Sequence, residues 1–141
     1  MTVSEVGQFR YRNHDVVITQ ETTDDTTTLF KVKANTEEVT MEGAWNPATR
    51  CFTRHRYYSN KAQEIGRRIE KRPGHIPYLG AEGLGHLLLT GIIDEYWSSD
   101  VENRTRGTNK TLVYLQTGKW EKALRRIDGP GGRTIGFRRR I

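Results

Sequence analysis

Apolar and polar positions alternate along the first 60 residues and recur at helical spacing in much of the remainder, so the pattern predicts strands first and helices after. Phe9, Tyr11, Val16, Val17 and Ile18 mark one or two strands around Asn13-His14-Asp15. Thr28 to Ala34 sets Phe30, Val32 and Ala34 on one side and Lys31 and Lys33 on the other, which is the signature of a half-buried strand. Val39 and Met41 supply a third strand and Cys51 to Tyr58 a fourth. Asn46-Pro47 lies between them as a turn, because proline fixes φ and disfavours helix at the residue before it. Trp45 and Phe52 flank that turn and are placed to pack across the hairpin mouth. An antiparallel meander of three to five strands is the expected assembly.

From Ser59-Asn60 the period changes. Asn60 is a helix cap with Gln63 as its capping-box partner, and Ala62, Ile65 and Ile69 recur until Pro73-Gly74 stops the helix. A second helix is predicted from about Ala81 to Trp97, with Leu84, Leu87, Leu88, Ile92 and Tyr96 inward. Gly83, Gly85 and Gly91 weaken it by up to about 1 kcal/mol each relative to alanine, and so mark close helix packing or a later start. Residues 98–110 read as a polar loop, and Thr111 to Gln116 as either a strand or a short helix. Lys119 to Ile127 reads as a basic helix with Trp120, Ala123, Leu124 and Ile127 inward, followed by a turn at Asp128 to Arg133 and a basic strand from Thr134 to Ile141. The fold class expected is α+β: a meander over residues 1–58, then two or three helices and a basic C-terminal strand over 59–141, in a single compact domain.

Composition narrows the chemistry. A chain of 141 residues buries one core without staples, and the lone cysteine, Cys51, excludes an internal disulfide and a multi-thiol zinc site, which points to a reducing compartment. Met1 to Gln8 has no secretion signature, and the apolar run Leu87 to Ile93 falls far short of the ~20 residues a bilayer requires. A soluble, cytoplasmic protein with no membrane partner is expected. The Asn103-Arg-Thr and Asn109-Lys-Thr sequons then read as polar loop residues. The four histidines are widely spaced, and Gly80, Gly83 and Gly85 lack the Lys-Ser/Thr of a phosphate loop, so no metal or cofactor is expected.

Charge is the feature that points to a partner. Residues 1–60 carry 7 Lys/Arg against 8 Asp/Glu, whereas residues 61–141 carry 16 against 9, a net of +7. A concentrated cationic field attracts polyanions, so nucleic acid, DNA or RNA, is the expected partner, held mainly through its phosphates. The residues expected to hold it are Arg67, Arg68, Lys71 and Arg72 on the first helix, Lys119, Lys122, Arg125 and Arg126 on the third, and Arg133, Arg138, Arg139 and Arg140 at the C-terminus. Arginine outnumbers lysine among the last of these, which suits bidentate phosphate contact.

The segment from Lys110 onward also invites comparison with a helix-turn-helix and wing, with Gly118 at the turn and Gly129 to Gly132 as wing tip. Set against it is a strand at Thr111 to Gln116 pairing with Thr134 to Arg139. Two other functions fit the charge. An inhibitor or adaptor would dock the same basic face on an acidic protein surface. A metal-independent ribonuclease would draw on His55, Arg54, Arg56, Tyr57, Glu64 and His75, but simple strand alternation sets His55 and Tyr57 opposite Arg54, Arg56 and Tyr58. Tyr57, Tyr58, Trp97 and Trp120 stand beside basic or polar residues as candidate base-stacking groups, with burial in the core as the alternative.

Overall fold

A computed structural model of the chain describes residues 2–23, 26–60, 75–99 and 109–140, and these form an eight-stranded sheet carrying short helices. Strands β1 (Thr2–Tyr11), β2 (His14–Thr22), β3 (Thr27–Ala34), β4 (Glu37–Asn46) and β5 (Cys51–Ser59) each pair antiparallel with the next. β6 (Glu95–Ser98) runs parallel to β5, and β8 (Thr134–Arg139) lies antiparallel between β6 and β7 (Leu124–Asp128). The helices among the described residues are α1 (Leu79–Leu89), α2 (Lys110–Tyr114) and α3 (Gly118–Ala123). The architecture is therefore α+β with the sheet predominant.

Local chemistry explains the hairpins. Arg12 and Asn13 both take positive φ, 47° and 64°, the two-residue geometry whose twist matches the strands it joins. Asn46 Oδ1 accepts from the amides of Ala48 and Thr49 and closes the β4–β5 turn. Trp45 and Phe52 are register partners there, and both rings meet Phe30 edge-on.

The core lies between one face of the sheet and α1. Phe30, Val32, Met41, Phe52, Tyr96 and Phe137 from the strands are fully buried against Leu84, Leu87 and Leu88. Glycines set the helix-to-sheet distance: a Cβ at Gly83 would stand 2.5 Å from Val32 Cγ2, and one at Gly85 would stand 2.7 Å from the Trp120 ring. The close-packing interpretation of these two glycines is the correct one.

Three predicted elements end elsewhere. The helix expected to reach Trp97 stops at Leu89, where Gly91 takes φ +78°, and Glu95–Ser98 becomes β6 because it completes the sheet between β5 and β8. The basic helix expected from Lys119 to Ile127 stops at Ala123, and Leu124 and Ile127 enter β7, paired with β8. Both are buried as expected, but on a strand, so no second helix of a helix-turn-helix forms. Thr111 to Tyr114 belongs to α2 and does not pair with β8. The first predicted helix, with Arg67, Arg68, Lys71 and Arg72, lies outside the described residues. Asn60 is described: its side-chain amide ties the β3–β4 turn, accepting from Glu38 N and donating to Thr36 O.

Candidate nucleic-acid interface

Register partners in a sheet share a face, so the strand pairings sort the side chains. One face holds Phe30, Phe52, Tyr96 and Phe137 against the helices. None of the described helices covers the other face. Its β1–β5 part is charge-balanced, because Arg10 pairs with Asp15, Lys31 with Glu21 and Arg56 with Glu42. Such exposed pairs contribute between about 0 and 1 kcal/mol each, yet they leave little net field.

The far end of the sheet differs. Residues 109–140 contain nine Lys/Arg and two Asp/Glu, a net of +7, while the whole chain carries +6, so everything before them sums to −1. The cationic half is thus a cationic hairpin with the two short helices that lead into it. Within it Arg125 on β7 and Arg138 on β8 are direct cross-strand partners, both exposed on the open face, and neither makes an ion pair among the described residues. Like charges set opposite each other destabilise a sheet, so this pair costs stability across the β7–β8 ladder.

The other predicted residues divide. Lys119 is bound to Glu82 at 2.7 Å, Arg126 lies 3.8 Å from Asp128 and 3.3 Å from Gln116 Oε1, and Arg139 reaches Asp94 at 3.4 Å. Arg140 donates to the Glu121 carbonyl oxygen. Lys122 is exposed in the last turn of α3, and Arg133 is exposed just before β8. The open face of the hairpin therefore gathers Arg125 and Arg138, with Arg133 and Arg140 exposed at its two ends, whereas Lys119, Arg126 and Arg139 are tied to carboxylates.

The constellation around His55 is rearranged by a bulge. Gly43 pairs with Arg54 and Glu42 with Arg56, which leaves His55 as the extra residue and shifts the facing of the strand beyond it. Arg54 turns inward, 3% exposed, with its guanidinium 4.9 Å from the Tyr57 ring and 5.8 Å from Tyr96. His55 and Arg56 come together on the open face beside Glu42, lining a groove of about 470 Å³. His75 is on the other side of the sheet, its Nδ1 3.0 Å from the buried carboxylate of Glu37, which also accepts from Ile76 N at 2.8 Å. Glu64 lies outside the described residues.

Of the candidate aromatics, Trp120 is core: its indole N–H donates to Glu82 at 2.7 Å. Trp97 is half-buried on the open face, one residue on from the fully buried Tyr96. Burial, and next the charge of Glu95, push the Cys51 thiol up, away from the thiolate form that nucleophilic chemistry needs. Just before and within β6, Asp94 bridges Arg50 and Arg139, and Glu95 accepts from Trp97.

Glu82 was not legible as a site residue. It is 1% exposed and accepts from Tyr114, Lys119 and Trp120, gathering α2 and α3 onto α1. Burial and this contact with Glu82 push the Tyr114 hydroxyl well above the ordinary tyrosine range. An acid in the first turn of a glycine-rich apolar helix is the one available signal.

No protein-family model, no curated protein and no solved structure matches the chain. Among the described residues no cluster of three or more His, Cys, Asp or Glu side chains could hold a metal, and no helix is long and apolar enough to cross a membrane.

Proposed function

We propose that the protein binds nucleic acid through its C-terminal β7–β8 hairpin, mainly by contact with the phosphate backbone, in a reducing, cytoplasmic setting. The observation that carries this reading is the +7 of residues 109–140, with Arg125 and Arg138 side by side, exposed and in no ion pair among the described residues. Two guanidiniums on one face offer paired donors to successive phosphates, and such contacts are indifferent to sequence. The test is fluorescence anisotropy with a labelled oligonucleotide. An Arg125→Ser/Arg138→Ser variant loses most of its affinity on this reading, and unchanged affinity refutes it. A docking role on an acidic protein predicts partners that survive nuclease treatment of the lysate.

A different observation favours a second reading, a site for a small anionic ligand. The parallel pair β5–β6 ends its register at Arg54 and Ser98, while β5 runs on to Ser59. Open sheets with parallel strands bind ligands outside the strands' carboxyl ends. There the Tyr57 hydroxyl meets the first turn of α1, since a Cβ on Gly80 would stand 2.5 Å from it. Two residues further along the same face, the Ser59 hydroxyl, 1% exposed, has no hydrogen-bond partner among the described residues. Stabilisation by inorganic pyrophosphate that persists in the Arg125→Ser/Arg138→Ser variant supports this reading. Stabilisation lost with those arginines assigns the anion to the hairpin.

A further inference from the structure

We infer that the nucleic acid this protein takes is single-stranded and lies across the open face of the sheet, with Trp97 as the base-stacking platform. The inference rests on the nucleic-acid reading above and specifies its substrate class.

Trp97 sits on the open face of β6 in register with Thr53 on β5 and Gly136 on β8. Its indole N–H donates to Glu95 Oε1 at 2.6 Å, which fixes the ring against the strand instead of leaving it free to rotate. The neighbouring position across the β6–β8 ladder has no side chain and can have none: a Cβ on Gly136 would stand 2.1 Å from the Tyr96 carbonyl oxygen. A ring flanked by glycine and threonine and pinned at its nitrogen is pre-organised to receive a planar partner. Stacking on aromatic side chains is how single strands are held without regard to sequence, since every base has a π-face.

The charges around the ring suit that occupant. Arg138 lies two residues from Gly136 on the same face of β8, with Arg125 opposite it on β7. At the usual strand spacing these two arginines stand about 5 and 10 Å from the Trp97 strand. Among the described residues Glu95 is the carboxylate on the open face beside Arg138, its register partner, so there two positive charges meet one negative charge that is already engaged by the indole. On the opposite side of Trp97, beyond Thr53, the groove of about 470 Å³ presents His55 and Arg56. A strand laid from Arg125 over Trp97 thus reaches a groove at the bulge where His55 stands beside the Arg56–Glu42 pair. A duplex cannot use this ring, because its bases are stacked on one another and open only their edges to the grooves.

The experiment compares a labelled 12-mer single strand with its duplex at one salt concentration, using the wild type, Trp97→Leu and Trp97→Phe, each checked for folding by circular dichroism. The wild type is expected to bind the single strand at least about tenfold more tightly than the duplex, with quenching of tryptophan emission. Trp97→Leu is expected to lose at least about fivefold on the single strand and nothing on the duplex, and Trp97→Phe to retain most of the affinity, because the ring and not the N–H does the stacking. Equal binding of both forms, an unaffected Trp97→Leu, or a Trp97→Phe as weak as Trp97→Leu overturns the inference while leaving the polyanion reading in place. Failure of the wild type to bind either form overturns both.

Discussion

The Trp120 indole donates to the carboxylate of Glu82 at 2.7 Å, in a site where that carboxylate is almost wholly buried. This contact docks α3 onto α1 and so fixes where the β7–β8 hairpin leaves the core. Breaking a buried, hydrogen-bonded charge leaves its partners orphaned, so Glu82→Ala is expected to cost about 3 kcal/mol in urea unfolding. A loss below about 1 kcal/mol would show that Tyr114, Lys119 and Trp120 find other partners.

Gly83 sets helix propensity against packing. Alanine would favour the helix by up to about 1 kcal/mol, but its methyl group would enter the space of Val32 beneath the middle of α1. Packing wins, since Val32 is short, branched and fully buried, and cannot swing aside. Gly83→Ala is expected to lower the unfolding free energy by about 1–3 kcal/mol. A more stable variant would mean that α1 rides higher on the sheet.

His86 stacks on Phe9 with ring centroids 4.7 Å apart, and burial lowers its pKa from the ordinary 6.5. The folded protein then binds a proton less readily than the unfolded chain. Stability attributable to this group is present above 6.5 and lost as pH falls through the window between 6.5 and the lower folded-state value. The difference in stability between pH 8 and pH 5 is expected to shrink in His86→Gln. An unchanged difference would place the pH dependence on other groups.

Arg125 and Arg138 make a prediction in which stability and binding move in opposite directions. Replacing Arg125 with threonine removes a like-charge cross-strand pair and puts a strand-favouring residue on the edge, so the fold should gain about 0.2–1 kcal/mol. Affinity for nucleic acid should fall at the same time. A variant that gains stability without losing affinity would show the arginines to be mere surface charge.

The meander could be read from alternation because each of its strands pairs with its sequence neighbour, so local pattern and sheet topology coincide. Phe30, Val32 and Ala34 are buried as their spacing requires. β6 and β7 could not be read this way. Tyr96 and Leu124 fit the inward stripe of a helix and are buried, but whether Glu95–Ser98 and Leu124–Asp128 coil or extend is settled by β8, a strand contributed by residues 134–139. The inward turn of Arg54 depends on a single extra residue at His55, and a bulge leaves no mark on alternation beyond one position out of step. Charge was legible as a total. Which arginines are already spent on Asp94 or Asp128 depends on contacts that only folding creates.

The central claim, that the C-terminal hairpin holds polyanions through phosphate contacts, is tested most directly by measuring affinity for one oligonucleotide across a salt series. Each neutralised phosphate steepens the fall of log affinity with log salt by about 0.7–0.9. The wild type should weaken steeply between about 50 and 200 mM salt, and the Arg125→Ser/Arg138→Ser variant should show a slope shallower by about 1–2. An affinity that stays level across that range, or a slope unchanged in the variant, contradicts phosphate contact by the hairpin.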